Sequence, residues 1–598
     1  MFDRRLNKYI LPGIALAATV LFFATSFSNG WTRAETDFPN YYTAAKLVLK
    51  GARLHNYYDW TWFQRQMNYA GIESQLGAYI PQTPLTMLPI VPLAGFTPQN
   101  AKRAWLLFNL IFLAATVLML SRVTRFGVSA ITLLAFAGWD SLRANFLLGQ
   151  YYVFLLFLLT LSFYWIERGR AWAGGLMTGI ACGLKLYGAP FLLYFAVRRN
   201  RKELAGMAVA LFGSAALAIA IFGWTDVAAF ATQILPRSLA GETIDPYHPG
   251  NGTLSTLLRR TLMMEPELNP NPFASAPAVY FFLQTFTAVM ILVFPLLSLR
   301  RSNNSKCDFA WFVIVLLLAS PNTAAYTFIM LLLPITLLLE DAAPLKQLFL
   351  IAAYVLLTYS IPDGWIGLFP KVWLLLALFV VAGRPYWRMY RRQQVVAATA
   401  LAICLGFLSA AIRLKSYSQE PGRHYQRVTV ERDAIYSSSP AVLRSGIVYE
   451  SIGTKHYVLR WLHGSADDQF AFDGEALNPV AVSPDGPIQF EFVAHGTSVF
   501  KLLDPATGTV IPQSGPTKQD APVTVPSPDG KWLAFTLQEL GSKQVWLRRT
   551  AGSPASPVTG GACNSFSPAW ELDSKAIVFA SDCDRGLGLP ALYRAMVN

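Results

Sequence analysis

The chain has no glycine-rich phosphate loop following a strand, so nothing in it points to a bound nucleotide. Acidic residues are scarce, 35 against 49 lysines and arginines, which leaves a formal charge of +14. That excess does not indicate a nucleic-acid partner. The basic residues gather in short clusters between apolar segments, where they report membrane orientation. The clusters are Arg4/Arg5/Lys8, Arg122/Arg125, Arg168/Arg170, Arg198/Arg199/Arg201/Lys202, Arg300/Arg301/Lys306 and Arg384/Arg388/Arg391/Arg392, with a weaker loop at 340–346. Cysteine is rare, five in all. Cys182, Cys307 and Cys404 lie in apolar segments and read as packing residues. Cys563 and Cys583 share a polar stretch. A disulfide is expected there if that stretch is extracytoplasmic, the alternative being two free buried thiols.

What is abundant is apolar sequence: 54% of residues are hydrophobic. Residues 1–413 are dominated by runs of spanning length, whereas 414–598 have the Ser-, Gly-, Pro- and Asp-rich composition of a soluble domain. The fold class expected is a polytopic α-helical membrane protein plus a C-terminal all-β domain, divided at 1–413 and 414–598. Thirteen segments are read, near 10–28, 104–121, 128–140, 151–166, 171–184, 187–197, 204–223, 277–299, 308–319, 324–339, 345–361, 366–383 and 394–413. The pair 171–184 and 187–197 is short and suggests half-helices. Ser26-Phe27-Ser28 is a poor cleavage site, so the first segment is expected to stay as an uncleaved span. With a cytoplasmic N-terminus in the inner (plasma) membrane, every basic cluster falls inside. An odd count then puts the C-terminal domain outside.

Two connecting stretches, 29–103 and 224–276, are long, and both fall on the outer side. Loops of that length carry function more often than they merely connect. The first contains Glu35 and Asp37, then a helical pattern in which Tyr41, Ala44, Ala45 and Val48 share one face. Asp37 reads either as a helix-start carboxylate or as a general base at the membrane boundary. Gln150 and Lys185-Leu186-Tyr187 reach the same outer side. A lysine in an apolar run needs a partner or must snorkel to the headgroups, and a lipid phosphate would suit it.

Five stretches carry a resemblance: DFPNYYTAAKLVLKG (37–51), YIPQTPLTMLPIVPLAGF (79–96), the run GQYYVF through FLLYF (149–195), GNGTLSTLLRR (250–260) and LLLASPNTAAYTFIMLLLP (316–334). In this order they resemble glycosyltransferase family 87, polytopic GT-C enzymes that use polyprenyl-phosphate sugars, typically mannose. The resemblance implies Asp37 as catalytic carboxylate. It places Glu35, Tyr41, Gln150, Lys185, Tyr187, Asn251, Arg259 and Asn322 near the donor phosphate or substrate. Family members often carry a histidine after Ser-Pro in the last stretch; here Ser320-Pro321 is followed by Asn322. The expected reaction is an inverting single displacement onto a glycan, glycolipid or protein acceptor. No cofactor is expected. Glu35-x-Asp37 resembles an acidic metal pair in some GT-C enzymes, but a divalent ion needs more oxygens than the pair supplies, so no metal is expected.

In the soluble part, Asp485, Asp529 and Asp573 recur at intervals of 44 residues, each in a tight turn before an alternating apolar strand. That period reads as propeller blades and resembles the TolB-type repeat, with room for about four. The aspartates read as structural Asx-turn residues. A non-enzymatic anchor presenting this domain for binding is the alternative function. A transporter ranks third, because the ionisable candidates sit at segment ends.

Overall fold

The computed structural model describes residues 9–33, 36–73, 75–243, 245–299, 301–302, 304–361, 363–429, 436–512, 524–539 and 542–597. Glu35, the Arg4/Arg5/Lys8 cluster and Arg300 lie outside the described residues.

The chain is helical through its first two thirds and β thereafter. Six helices among the described residues are long and apolar enough to cross a bilayer: Leu11–Thr32, Pro98–Val123, Arg201–Phe222, Pro277–Leu299, Pro370–Met389 and Arg392–Tyr417. Trp139–Leu148 and Tyr152–Glu167, bent by 115°, make a seventh if counted as one broken span. This is fewer than the thirteen expected, because several apolar runs are interrupted. Ala171–Lys185 and Ser305–Ala319 have 15 residues each and Phe191–Val197 has seven. Fifteen residues rise about 22 Å, short of the roughly 30 Å hydrocarbon core.

The helix ends sort into two groups. At one end, Lys306 Nζ donates to the Val123 carbonyl and to Glu340, both at 2.7 Å, and Arg198 pairs with Asp308. Arg301 reaches the Met389 carbonyl and Gln394. At the other end, Arg103 donates to the Trp31 carbonyl, Phe222 packs edge-on against Tyr57, and Arg259 meets Tyr280. Among the described residues, the basic groups Arg198, Arg301 and Lys306 thus lie at the end opposite the two long connecting stretches.

Close helix contact is built on glycine. Gly175, Gly179 and Gly183 recur every four residues along Ala171–Lys185. A Cβ on Gly175 would lie 1.9 Å from the Glu203 carbonyl oxygen of Arg201–Phe222. With no hydrophobic drive between helices in lipid, such backbone approach supplies the packing. It also fixes the helix that ends at Lys185.

The β domain consists of four antiparallel four-stranded sheets. The first is Ser437–Leu443, Gly446–Ile452, Tyr457–His463 and Ala466–Phe470. The second is Glu475–Ala481, Ile488–Ala494, Thr497–Asp504 and Thr509–Pro512. The third is Thr524–Pro526, Trp532–Glu539, Ser542–Arg549 and Ser556–Pro557. The fourth is Ser565–Trp570, Ala576–Ser581 and Ala591–Met596, completed by Gln426–Arg427 from the start of the domain. The leading strands surround a central cavity of about 610 Å³, as in a four-bladed propeller. Three of them bulge at the same place, where Ser439, Asn478 and Ser567 take left-handed φ just before a proline. Asp529 and Asp573 accept the backbone N–H two residues on, as Asx-turns do. Asp485 instead pairs with Arg444.

One mouth of this ring is occupied by helix Trp60–Tyr69 of the first long stretch. Asp59 caps it by accepting Trp62 N–H. Thr61, Gln64, Arg65 and Asn68 form one helical face. They bind Glu450 at 2.7 Å, Glu475 at 2.9 Å, Glu491 at 2.6 Å and Gly496 N–H at 2.9 Å. The opposite face, Phe63 and Met67, packs with Phe38–Leu49. The second stretch docks as well: Arg237 meets Asp582 at 2.6 Å, and Glu265 and Glu267 pair with Arg427 and Arg585.

Cys563 and Cys583 are joined in a disulfide, 20 residues apart in sequence. Closing a loop of that length contributes about 3 kcal/mol. Replacing both with serine should therefore lower the melting temperature of the detergent-solubilised protein by several degrees. Unchanged melting in oxidising buffer would show that the crosslink adds nothing.

Candidate active site

Asp37 stands one residue before helix Phe38–Leu49, where a short carboxylate ordinarily caps the first turn. Its side chain makes no capping bond. Instead Asp37 Oδ2 accepts Gln150 Nε2 at 2.5 Å. Gln150 Oε1 accepts the Tyr41 hydroxyl at 2.9 Å, and that hydroxyl accepts from Lys185 Nζ at 3.1 Å. Four side chains named from sequence thus form one hydrogen-bonded chain.

The local sequence explains the convergence. Tyr41 lies one turn on from Asp37 and is buried. Gly149 ends helix Trp139–Leu148 with φ +68°, and a Cβ there would lie 2.7 Å from Phe38 Cβ. Only glycine lets Gln150 come this close to the Asp37 helix. Lys185 ends its helix, and Leu186 then turns left-handed at φ 57°. The lysine head lies over the rings of Tyr41, Tyr151 and Tyr152 at 5.3, 5.9 and 5.1 Å. Such cation–π contacts contribute about 0.5–2 kcal/mol each.

Sequence reasoning missed Tyr151 and Tyr152, which sit in an aromatic-rich apolar run where no local signal sets them apart. It also missed Lys102, which is buried and donates to the Arg33 and Leu147 carbonyls at 2.6 and 2.8 Å. Burial raises the Asp37 pKa above the ordinary aspartate value. The Gln150 hydrogen bond and the charges of Lys185 and Lys102 offset this only in part.

Lys185 opens onto a cavity of about 430 Å³. Tyr152, Tyr187 and Asn322 share its wall, and Leu235, Leu239 and Leu292 make it largely apolar. A second group gathers there. The Asn322 carbonyl accepts from Tyr187 at 3.2 Å and from Ser320 at 2.7 Å, and the Asn251 carbonyl accepts from Thr323 at 2.5 Å.

Arg259 does not join either group. It donates to Glu242 at 2.9 Å and to the Tyr280 hydroxyl at 3.1 Å. Burial alone would raise Glu242, but Arg259, Arg237 and Arg413 hold it at about 2. These residues line a separate cavity of about 470 Å³ that shares Leu239 and Leu292 with the first. Glu420, Cys563 and Cys583 also lie together, but the two sulfurs are bonded to each other and are not free thiolate ligands.

A polyprenol-phosphate-mannose-dependent alpha-(1-2)-phosphatidylinositol mannoside mannosyltransferase of Mycobacterium tuberculosis is 35% identical over 96 residues. The match covers 16% of this chain, which spans only 22% of that relative's length. Two solved structures overlap 27% of the chain at 17% identity and TM-score 0.14. They are TolB from Acinetobacter baumannii and a protein assigned as TolB from Agrobacterium tumefaciens, of which 39% and 58% are covered. The model of glycosyltransferase family 87 matches residues 79–321, the part carrying Gln150, Lys185 and Tyr187. With six to seven candidate spans, that match supports a membrane glycosyltransferase.

Proposed function

We propose that this protein moves a hexose, mannose being the first to test, from a polyprenyl phosphate to a hydroxyl of an extracytoplasmic glycan, glycolipid or protein. One observation carries the reading: a half-buried lysine that lines an apolar cavity among the helices is linked through Tyr41 and Gln150 to a carboxylate. In the reaction, Asp37 takes the acceptor O–H proton. The freed oxygen attacks the anomeric carbon from the face opposite the phosphate. The bond from that carbon to the phosphate oxygen breaks, polyprenyl phosphate departs, and the configuration inverts. Lys185 steadies the charge that grows on the leaving phosphate. An apolar cavity suits a prenyl chain, and the step needs no metal or cofactor. The orientation that fits places the N-terminus in the cytoplasm and the β domain outside the inner membrane, with the basic clusters inside.

The mannosyltransferase relative and the family match favour transfer over the anchor reading. The β domain's occupied mouth favours it too, since one docking surface is already taken by helix Trp60–Tyr69. The test is purified full-length protein incubated with labelled polyprenyl-phosphate mannose, glucose or galactose and an envelope extract as acceptor. Label should move into the acceptor fraction with inverted anomeric configuration. No transfer from any donor would overturn the reading.

The pH dependence follows from Asp37. A base must be ionised, so kcat should fall as pH drops through its pKa, at a midpoint above that of an ordinary aspartate. Gln150→Leu removes a hydrogen bond that favours the charged form and should move this acid limb to still higher pH. A pH–rate profile of both proteins checks the direction; a limb moved downward would contradict it.

A further inference from the structure

We infer that the β domain is a working part of the active site, holding Asp37 in place through Gln64 and Gln75. The inference rests on Asp37 acting as the base. Gln75 clasps Thr36, the residue before Asp37, at two points. Its Oε1 accepts the Thr36 N–H at 3.0 Å, and its Nε2 donates to the Thr36 carbonyl. A single side chain thus fixes both peptide planes that lead into Asp37.

Gln75 is itself held from the β domain. Gln64 Nε2 donates to the Gln75 carbonyl at 2.8 Å and to Glu475 Oε1 at 2.9 Å. Gln64 Oε1 accepts Gly77 N–H at 3.0 Å. Both amide hydrogens of Gln64 are therefore used, one towards the helical domain and one towards the second sheet. Gln64 and Glu475 are fully buried. Glu475 is fixed in turn: its Oε2 accepts Tyr457 N–H at 2.7 Å, and its Oε1 lies 3.2 Å from His456 Nδ1. An unbroken series of bonds runs from two strands of the propeller to the residue beside the base.

There is little slack in this series. A Cβ on Gly77 would lie 2.3 Å from both Asn40 Oδ1 and Met67 Sδ, so the segment is pressed between the Asp37 helix and the Gln64 helix. Asp37 makes no capping bond of its own. Its direction is set by Gln150 on one side and by the clasped Thr36 on the other. Gln64 and Gln75 are therefore positioning residues, and the β domain is not a module that could be exchanged without loss. A base misplaced by about 1 Å costs on the order of 100-fold in rate.

The test compares Gln64→Leu, Gln75→Leu and Arg65→Met in the full chain. Arg65 holds Glu491 across the same contact without touching the clasp. Two readouts are taken: backbone hydrogen exchange at residues 36–40, and kcat against donor KM with the polyprenyl-phosphate hexose that the wild type accepts. Both glutamine variants should exchange at least tenfold faster there and lose roughly 10–100-fold in kcat, with KM within twofold. Arg65→Met should do neither. Gln75→Glu, which keeps the bond from Thr36 N–H, should recover part of the loss. Unchanged exchange, wild-type kcat in the glutamine variants, or an equal loss in Arg65→Met overturns the inference. Full transfer by Asp37→Asn beside altered exchange overturns the base assignment instead, since exchange reads the clasp without reference to transfer.

Discussion

Asp37→Asn should leave a folded protein with kcat lowered by about 100- to 10,000-fold, the contribution of a positioned general base. The substitution is nearly isosteric. The asparagine carbonyl can still accept Gln150 Nε2, and no helix cap is lost because Asp37 makes none. What disappears is the negative charge, and with it the ability to take a proton from the acceptor hydroxyl. A carboxylate raised by burial is a stronger base than one in water, so an amide in that place forfeits more than it would on the surface. Donor KM should move little, because the proposed base acts on the acceptor hydroxyl and Gln150 and Tyr41 separate it from Lys185. A melting temperature close to wild type, with transfer lost, separates this outcome from misfolding. An unchanged kcat would remove Asp37 from the reaction.

Much of this site was legible in the sequence, because each group sits where its residue type is unusual. Asp37 follows a span, Lys185 interrupts an apolar run, and Gln150 follows a glycine at a helix break. The tyrosine cage was not legible, since Tyr151 and Tyr152 sit in a run where aromatics are ordinary lipid-facing or core residues. The Glu242 cluster was hidden for another reason. Its three arginines come from 237, 259 and 413, and no local pattern joins them. The span count ran higher than the long apolar helices because shorter apolar helices, such as Val128–Ala137 and Pro344–Thr358, read as spans by composition, whereas the half-helices on either side of Leu186 were already suggested by their length. The propeller period announced three sheets through Asp485, Asp529 and Asp573. The matching turn of the first sheet is Arg444-Ser445, with no aspartate, and only the bulge at Ser439-Pro440 marks that sheet as one of the set. The docking of helix Trp60–Tyr69 into the ring could not be read at all. Its polar face, Thr61, Gln64, Arg65 and Asn68, looks like any solvated helix face until Glu450, Glu475 and Glu491 are seen against it.

Lys185→Met should raise donor KM and lower kcat together, with kcat/KM down by about 100- to 1,000-fold, the scale for removing one donor to developing charge in a water-poor site. Methionine keeps the apolar stem that packs among Tyr41, Tyr151 and Tyr152, so the cage should persist without its cation. The ground-state phosphate loses an attraction, which reads as KM. The leaving phosphate gains charge as its bond to the sugar breaks, so it loses more, and that difference reads as kcat. A second signature follows from the link to Asp37. The lysine charge helps hold the Asp37 pKa down, so removing it should shift the acid limb of the pH–rate profile upward, in the same direction as Gln150→Leu. Lys185→Arg should restore the charge but not the fit, because the planar guanidinium must enter a space shaped by three rings for a compact ammonium. Steady-state kinetics across donor concentration and pH read all three effects. Wild-type kcat/KM and an unmoved acid limb in the Lys185→Met protein would sever the lysine from both the phosphate and the base.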